Sequence, residues 1–367
     1  MEIVRPTLIL DKEVCLNNIK RMVDKASSKG VFFRPHFKTH QSAEIGAWFR
    51  NFGVQAITVS SVEMAEYFAD QGWDDITIAI PINIYEINQI NSLAKKIKLN
   101  LLIENKDMLI QVDKFIKSPV GMFIEIDTGH NRTGIMASKT NQIDALIQII
   151  SKNKNLNFKG FLTHGGHTYR TKSKYEIFNL HFDALLKMRS LKNRYLKDYP
   201  DLMASLGDTP SASICDNFDG VDELRPGNFV FYDLMQYNLG SCNFNDIAIR
   251  LVCPVIAKHG SRNEITIYGG AIHISKDSII NIDGKNLYGQ IVIRKGNEKI
   301  LLNEKNYLWD MSQEHGILKM TYKDFDLIKV GDLVEIIPVH SCLTANLMGK
   351  YITTDGEEIT TIQQKML

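Results

Sequence analysis

Val31-Phe32-Phe33-Arg34-Pro35-His36-Phe37-Lys38-Thr39-His40 reads as a short strand running into a polar loop. Val31 to Phe33 is an apolar run of the kind a buried parallel strand shows. Pro35 bars a regular helix directly after it, because it lacks an amide hydrogen and restricts its predecessor. Lys38 then stands among His36, Thr39 and His40, an odd choice for a core position, since lysine is almost never fully buried without a partner. Two readings are open. Lys38 is a surface lysine on a loop, or it is an amine held in a pocket with its pKa lowered, able to form a Schiff base with an aldehyde.

Outward from this stretch, strand and helix patterns alternate. Asp11 caps a predicted helix to about Ser28, with Gly30 as its stop. Helices over 41–52, 61–71, 84–96, 106–116, 142–151 and 176–195 follow, with a helical turn over 211–215. Between them lie apolar strands at 56–59, 76–80, 100–103, 121–126, 158–163, 202–206 and 223–225. With the Lys38 strand these make eight, the pattern of a (β/α)8 TIM-type barrel. After about residue 240 the texture becomes short, β-rich and turn-bounded, with strands expected at 247–257, 264–268, 272–274, 289–295, 333–337 and 351–353. The expected organisation is an α/β barrel over 8–238 and a smaller all-β domain over 239–367, joined by residues 1–7.

Composition narrows the function classes. The 367 residues suit a barrel plus a smaller domain, and 44% hydrophobic residues are ordinary for a globular chain. A formal net charge of +1 gives no sign of a nucleic-acid partner. No apolar run approaches the roughly 18 residues of a membrane span, and the N-terminus has no signal-peptide pattern. Cys15, Cys215, Cys242, Cys253 and Cys342 show no framework spacing, which suits a cytoplasmic location.

Reacting groups of such barrels sit at the C-terminal ends of the strands, and several polar segments fall there. Glu125-Ile126-Asp127-Thr128-Gly129-His130-Asn131-Arg132-Thr133-Gly134 is either a polar turn with a capping Asp or part of a site. In Thr163-His164-Gly165-Gly166-His167-Thr168-Tyr169 the two glycines allow close backbone approach to a flat ring, with His167 as donor and Tyr169 as stacking face. Ser205-Leu206-Gly207-Asp208-Thr209-Pro210-Ser211 is a capped strand-to-helix turn or an anion cradle of backbone amides with Thr209 and Ser211. His340 and Cys342 lie two apart on a segment read as extended, so they point the same way. Imidazole and thiolate together suit zinc, although a satisfied His beside an inert Cys has the same pattern. Ser312-Gln313-Glu314-His315-Gly316 reads as a surface turn ending at Gly316.

The run Arg34-Pro35-His36-Phe37-Lys38-Thr39-His40-Gln41 resembles the RPHxKTH signature of the D-threonine aldolase and D-serine dehydratase family. These are pyridoxal phosphate enzymes with an alanine-racemase-type barrel, and matching segments recur from about residue 5 to about residue 350. The resemblance implies that Lys38 carries the cofactor. It implies that Arg132, in a segment similar to DxGxNRxG, sits near the ring oxygen or the lysine and favours the phenolate form. It places His167 and Tyr169 along the cofactor and Thr209 at its phosphate. Glu223 to Asp233 is similar to an RPGxYVFxD run, with Phe229 where the family usually has Tyr, and leaves Tyr232 as a phosphate or ring neighbour. His340 and Cys342 would bind a divalent metal, zinc by their chemistry. HxC resembles the dehydratase side of the family and HxD the aldolase side. Ser312 to Gly316, similar to SxEHG, would approach the site across a dimer interface.

The implied activity is β-elimination on a D-β-hydroxy amino acid, giving a keto acid and ammonia. Retro-aldol cleavage to glycine and an aldehyde is the alternative. Racemisation and a non-enzymatic cofactor-carrier role rank below both. The implied partners are a small D-amino acid and a second copy of the chain, with neither nucleic acid nor membrane.

Overall fold

The computed structural model describes residues 2–295 and 298–365. It divides into two units, Lys20–Lys38 with Gly46–Gly227, and Met1–Ile19 with Thr39–Ile45 and Asn228–Leu367.

The first unit is the barrel. Its strands lie in the order Phe32–Phe33, Glu223–Leu224, Met203–Gly207, Leu156–His164, Val120–Asp127, Lys98–Ile103, Asp75–Pro81 and Ile57–Val59. Every neighbouring pair is parallel. The two ends meet through a parallel bridge between His36 and Thr58, so the barrel closes at the residues just before Lys38. Side-chain caps start the crossover helices: Ser61 accepts from the Met64 amide, Asn105 from Met108 and Ser173 from Glu176. Inside, Leu102, Phe123 and Leu162 pack as one buried layer, with Met203 against it. Phe37, fully buried, sits among the rings of Phe49, Phe68 and Trp73 at 4.9, 5.0 and 5.2 Å. That cluster anchors the backbone one residue before Lys38.

A charged network crosses the same interior. Arg34 donates to Glu223 and to Asp75, both at 2.6 Å, and Asp75 also accepts from Lys98. Ser205 donates to Glu223 and accepts from Arg225, each at 2.6 Å. Arg225 further donates to the Thr163 carbonyl at 2.6 Å. Buried charges persist only when paired and hydrogen-bonded, and here each cation has its carboxylate.

The second unit is built on an antiparallel ring: Ile249–His259, Glu264–Tyr268, His315–Lys319, Tyr307–Met311, Gly289–Lys295 and Leu333–Pro338, which pairs back to Ile249–His259. Thr7–Leu10 joins antiparallel to Ile249–His259 and parallel to Lys350–Thr353. Two expectations need correction. Ile272-His273-Ile274 is not a strand but part of the helix Ala271–Ile274; the His273 ring accepts from the Gly270 amide, and this local capping overrides the β-branched composition. His340 and Cys342 do not share an extended segment. The strand ends at Pro338, and Cys342 lies in the first turn of the helix Ser341–Met348, with His340 as its N-cap residue. Ser312 to Glu314 is the turn of a hairpin whose second strand opens on His315. Among the described residues no helix is long and apolar enough to cross a membrane.

Candidate functional site

In the barrel unit the polar segments gather at the C-terminal strand ends. Lys38 follows the closing bridge, and its side chain is exposed rather than enclosed, because the strand has ended and the loop opens at the barrel mouth. Its charge is felt by two imidazoles. His36 is driven well below the usual histidine range by burial and then by Lys38, with Arg225, His164 and Arg132 adding to the push. His164 is pushed down to about 3 by burial and again by Lys38. The His164 Nδ1 donates to the Gly207 carbonyl at 2.5 Å, which leaves a neutral ring with Nε2 as an acceptor. His130 and His167 are lowered as well, burial first. Neutral imidazoles surrounded by Lys38, Arg132 and Arg225 mark a region of positive potential, and such a region favours an anion.

The loop carrying Arg132 is held from below. The Asp127 carboxylate accepts from the Gly129 and Asn131 amides at 2.9 and 3.1 Å. Thr133 donates to Glu125 at 2.8 Å, and the Gly134 amide donates to Glu104. Arg132 itself is exposed. The glycines of the next segment are also needed for packing within the protein. A Cβ on Gly165 would stand 2.5 Å from the Asp208 carboxylate, and one on Gly166 would be closer still to the His130 ring. Small residues here let His130, His167 and Asp208 close in on each other, with the His130 and His167 rings stacked at 6.1 Å.

The 205–211 turn partly matches an anion cradle. Asp208 takes the Ser211 amide at 2.7 Å and the Thr168 hydroxyl at 3.0 Å, so the Ser211 amide is already used. The Thr209 amide donates to the Tyr169 hydroxyl at 3.2 Å. The Thr209 hydroxyl is buried and has no hydrogen-bond partner among the described residues, as has the His167 Nδ1. An unmet buried hydroxyl costs about 1–3 kcal/mol. A phosphate oxygen is the kind of partner that would satisfy it, so these residues fit a phosphorylated cofactor.

The second unit holds the other chemistry. The His340 Nδ1 meets the Asp277 carboxylate at 2.5 Å. The Cys342 sulfur lies 3.2 Å from the Thr39 hydroxyl and accepts from the Asn228 amide at 3.6 Å. Asp233 fixes the corner between the two side chains: its carboxylate accepts from the Ser341 amide at 2.9 Å and from Asn228 at 2.6 Å. The Tyr351 hydroxyl pins the His40 carbonyl at 2.8 Å and so steadies Thr39. Burial alone would lower the His340 imidazole; the bond to Asp277, with Cys342 and Asp233 nearby, outweighs it and pushes it up to about 11. The Asp277 carboxylate on His340 and the Asp233 carboxylate behind Ser341 favour positive charge here, and the donor set is imidazole plus thiol. Both fit a borderline-soft cation such as zinc. Among the described residues no group of three or more His, Cys, Asp or Glu converges as a complete ligand set, so water or substrate would fill the remaining positions. Tyr232 belongs to this unit, buried, with a φ of 49° that a bulky residue seldom adopts.

Sequence reading passed over His36, His164, Arg225, Asn228, Asp233 and Asp277. The first five lay inside or beside quoted motifs. Asp277 carried no signal at all.

Residues 10–234 match the family model "Alanine racemase, N-terminal domain", and residues 248–354 match "Putative serine dehydratase domain". A D-serine dehydratase from Dictyostelium discoideum is 30% identical over 393 residues, spanning 97% of this chain and 95% of that protein. A D-threo-3-hydroxyaspartate dehydratase from Delftia sp. (strain HT23) is 27% identical over 364 residues, spanning 96% and 94%. The structure of a cysteine-to-alanine variant of D-threo-3-hydroxyaspartate dehydratase, in its metal-free form, superposes with a TM-score of 0.89 at 26% identity, covering 98% of both chains.

Proposed function

The chain belongs to the alanine-racemase-type pyridoxal phosphate family that includes the D-serine and D-threo-3-hydroxyaspartate dehydratases, and on that premise we propose that it is a lyase that eliminates water from a D-β-hydroxy amino acid. Pyridoxal phosphate, when bound, supplies an aldehyde that condenses with amines and a ring that takes up the electron pair left at Cα. Lys38 would be the amine that holds the cofactor, and its free amine would be the base that removes the Cα proton. Thr209 and the Tyr169 hydroxyl would hold the phosphate. His167 would line the ring, and Arg132, charged at any working pH, would favour its phenolate oxygen. His164, neutral and fixed by the Gly207 carbonyl, offers an acceptor without adding positive charge. Tyr232 would be a further phosphate or ring neighbour by the family resemblance.

The β-hydroxyl is a poor leaving group. His340 and Cys342 would hold a divalent metal, which supplies Lewis-acid assistance to its departure. Thr39 and Asn228 keep the sulfur in place for that task, and Thr39 is the residue after Lys38 in the chain. Loss of the Cα proton and the hydroxyl yields, on release, an enamine that hydrolyses to a keto acid and ammonia.

The observation that carries the elimination reading is the His340–Cys342 corner, a donor pair in which a thiolate rather than a carboxylate stands beside the imidazole. A panel of D- and L-β-hydroxy amino acids with zinc or manganese tests it. Ammonia and keto acid from D-serine or D-threo-3-hydroxyaspartate are expected; glycine and an aldehyde would make the enzyme an aldolase, and no product from any of them would leave a cofactor carrier. The proposal includes zinc as the native metal, supported by the donor set, a cytoplasmic location, supported by five free cysteines, and a homodimer, which rests on the family resemblance alone; elemental analysis and sedimentation of the purified protein check the metal and the dimer.

A further inference from the structure

Asp277 approaches the side of the His340 ring away from Nε2. It is delivered there by a constrained loop. Ser275, two residues after His273, has φ 75° and ψ 168°, a region that side chains rarely adopt. The Ser275 hydroxyl accepts from the Asp277 amide at 3.3 Å. Thr344, fully buried one turn beyond His340, places its hydroxyl 2.9 Å from the Ile274 carbonyl and 3.1 Å from the His340 carbonyl. One hydroxyl thus ties the Asp277 loop to the turn that carries His340. Strain of this sort persists only where the surroundings over-determine it.

We propose that Asp277 is a positioning residue for the metal: it fixes His340 as the Nδ1–H tautomer, orients the ring, and so presents Nε2 as the ligand atom. The carboxylate accepts the Nδ1 proton and makes the imidazole a stronger donor on its other nitrogen. Asp277 does not ligate, because the ring stands between its oxygens and the ligand atom. The inference rests on the reading of His340 and Cys342 as the metal pair. The loop that brings the carboxylate into place is 63 positions from His340 in sequence, so no local motif reveals it.

The test is zinc affinity of the chelator-stripped, cofactor-loaded protein, measured by competition with a chromogenic chelator. Cobalt substitution reports the thiolate ligand through its charge-transfer absorbance. Asp277→Asn should weaken zinc by roughly 10–100-fold, the usual cost of losing such a partner, and Asp277→Ala by more. Asp277→Glu should recover most of the loss. The cobalt–thiolate band at saturation and the absorbance of the bound cofactor should stay as in the wild type, which a general loss of structure would not allow. His340→Ala is the reference. If it loses zinc while Asp277→Asn and Asp277→Ala bind as the wild type does, the positioning role is overturned. If His340→Ala also binds zinc unchanged, the metal pair itself is misassigned and the inference falls with it.

Discussion

Lys38→Ala is expected to lose the yellow absorbance of the bound cofactor and its turnover together, with activity down roughly a thousandfold or more, since one general acid–base group alone contributes about 10²–10⁴-fold. Both losses would follow if, as proposed, a single amine serves as attachment point and as base. The electrostatics supply a second readout that needs no cofactor. After burial, Lys38 is the largest influence keeping His36 and His164 unprotonated. Removing its charge takes away a repulsion felt only by the protonated rings, so both should accept protons at higher pH in apo Lys38→Ala than in apo wild type. Lys38→Arg separates the two effects. It keeps a positive charge beside the imidazoles, so their titration should stay low, yet a guanidinium cannot take the lysine's covalent role and the colour should still be absent. Proton NMR of the histidine rings and an absorbance spectrum decide the matter. Retained colour and turnover in Lys38→Ala would place the attachment elsewhere.

The barrel was legible because its buried strands read as apolar runs that alternate with helical patterns, the first of them opened by Asp11. Motif context put Lys38, Arg132 and Cys342 forward as candidates. What stayed hidden depends on partners distant in sequence. The corner that turns His340 and Cys342 away from an extended course is set by Asp233, 108 positions from Ser341. The segment Ile272 to Ile274 has a strand's composition, yet one ring capping one amide makes it helical. Three residues carry too little pattern to outvote such a contact. Electrostatics were the least legible. Nothing local to His164 says that it is neutral, since that follows from burial and from Lys38, Arg132 and Arg225 converging from separate strands.

Cys342→Ala should keep the cofactor absorbance and lose metal-dependent turnover by about 10³-fold, equivalent to roughly 4 kcal/mol, because a Lewis acid on a poor leaving group is worth several kcal/mol. The variant is expected to fold. Its sulfur accepts from Asn228 and lies beside Thr39, but Asn228 retains Asp233 and Ser341 as partners. The Ser341 amide remains on Asp233, so the helix still starts where it does. What is lost is a thiolate donor, and His340 alone is too few ligands to retain zinc against a chelator. Turnover of wild-type protein after chelation should fall to the same residual level and return with added zinc, whereas Cys342→Ala should not respond to zinc at ordinary concentrations. Chelation that leaves wild-type activity untouched would remove the metal from the chemistry. Elimination would then have to rely on a protein acid to protonate the departing hydroxyl, and Glu125, whose carboxyl is raised by burial and has an oxygen without a partner among the described residues, is the first group to examine for that role.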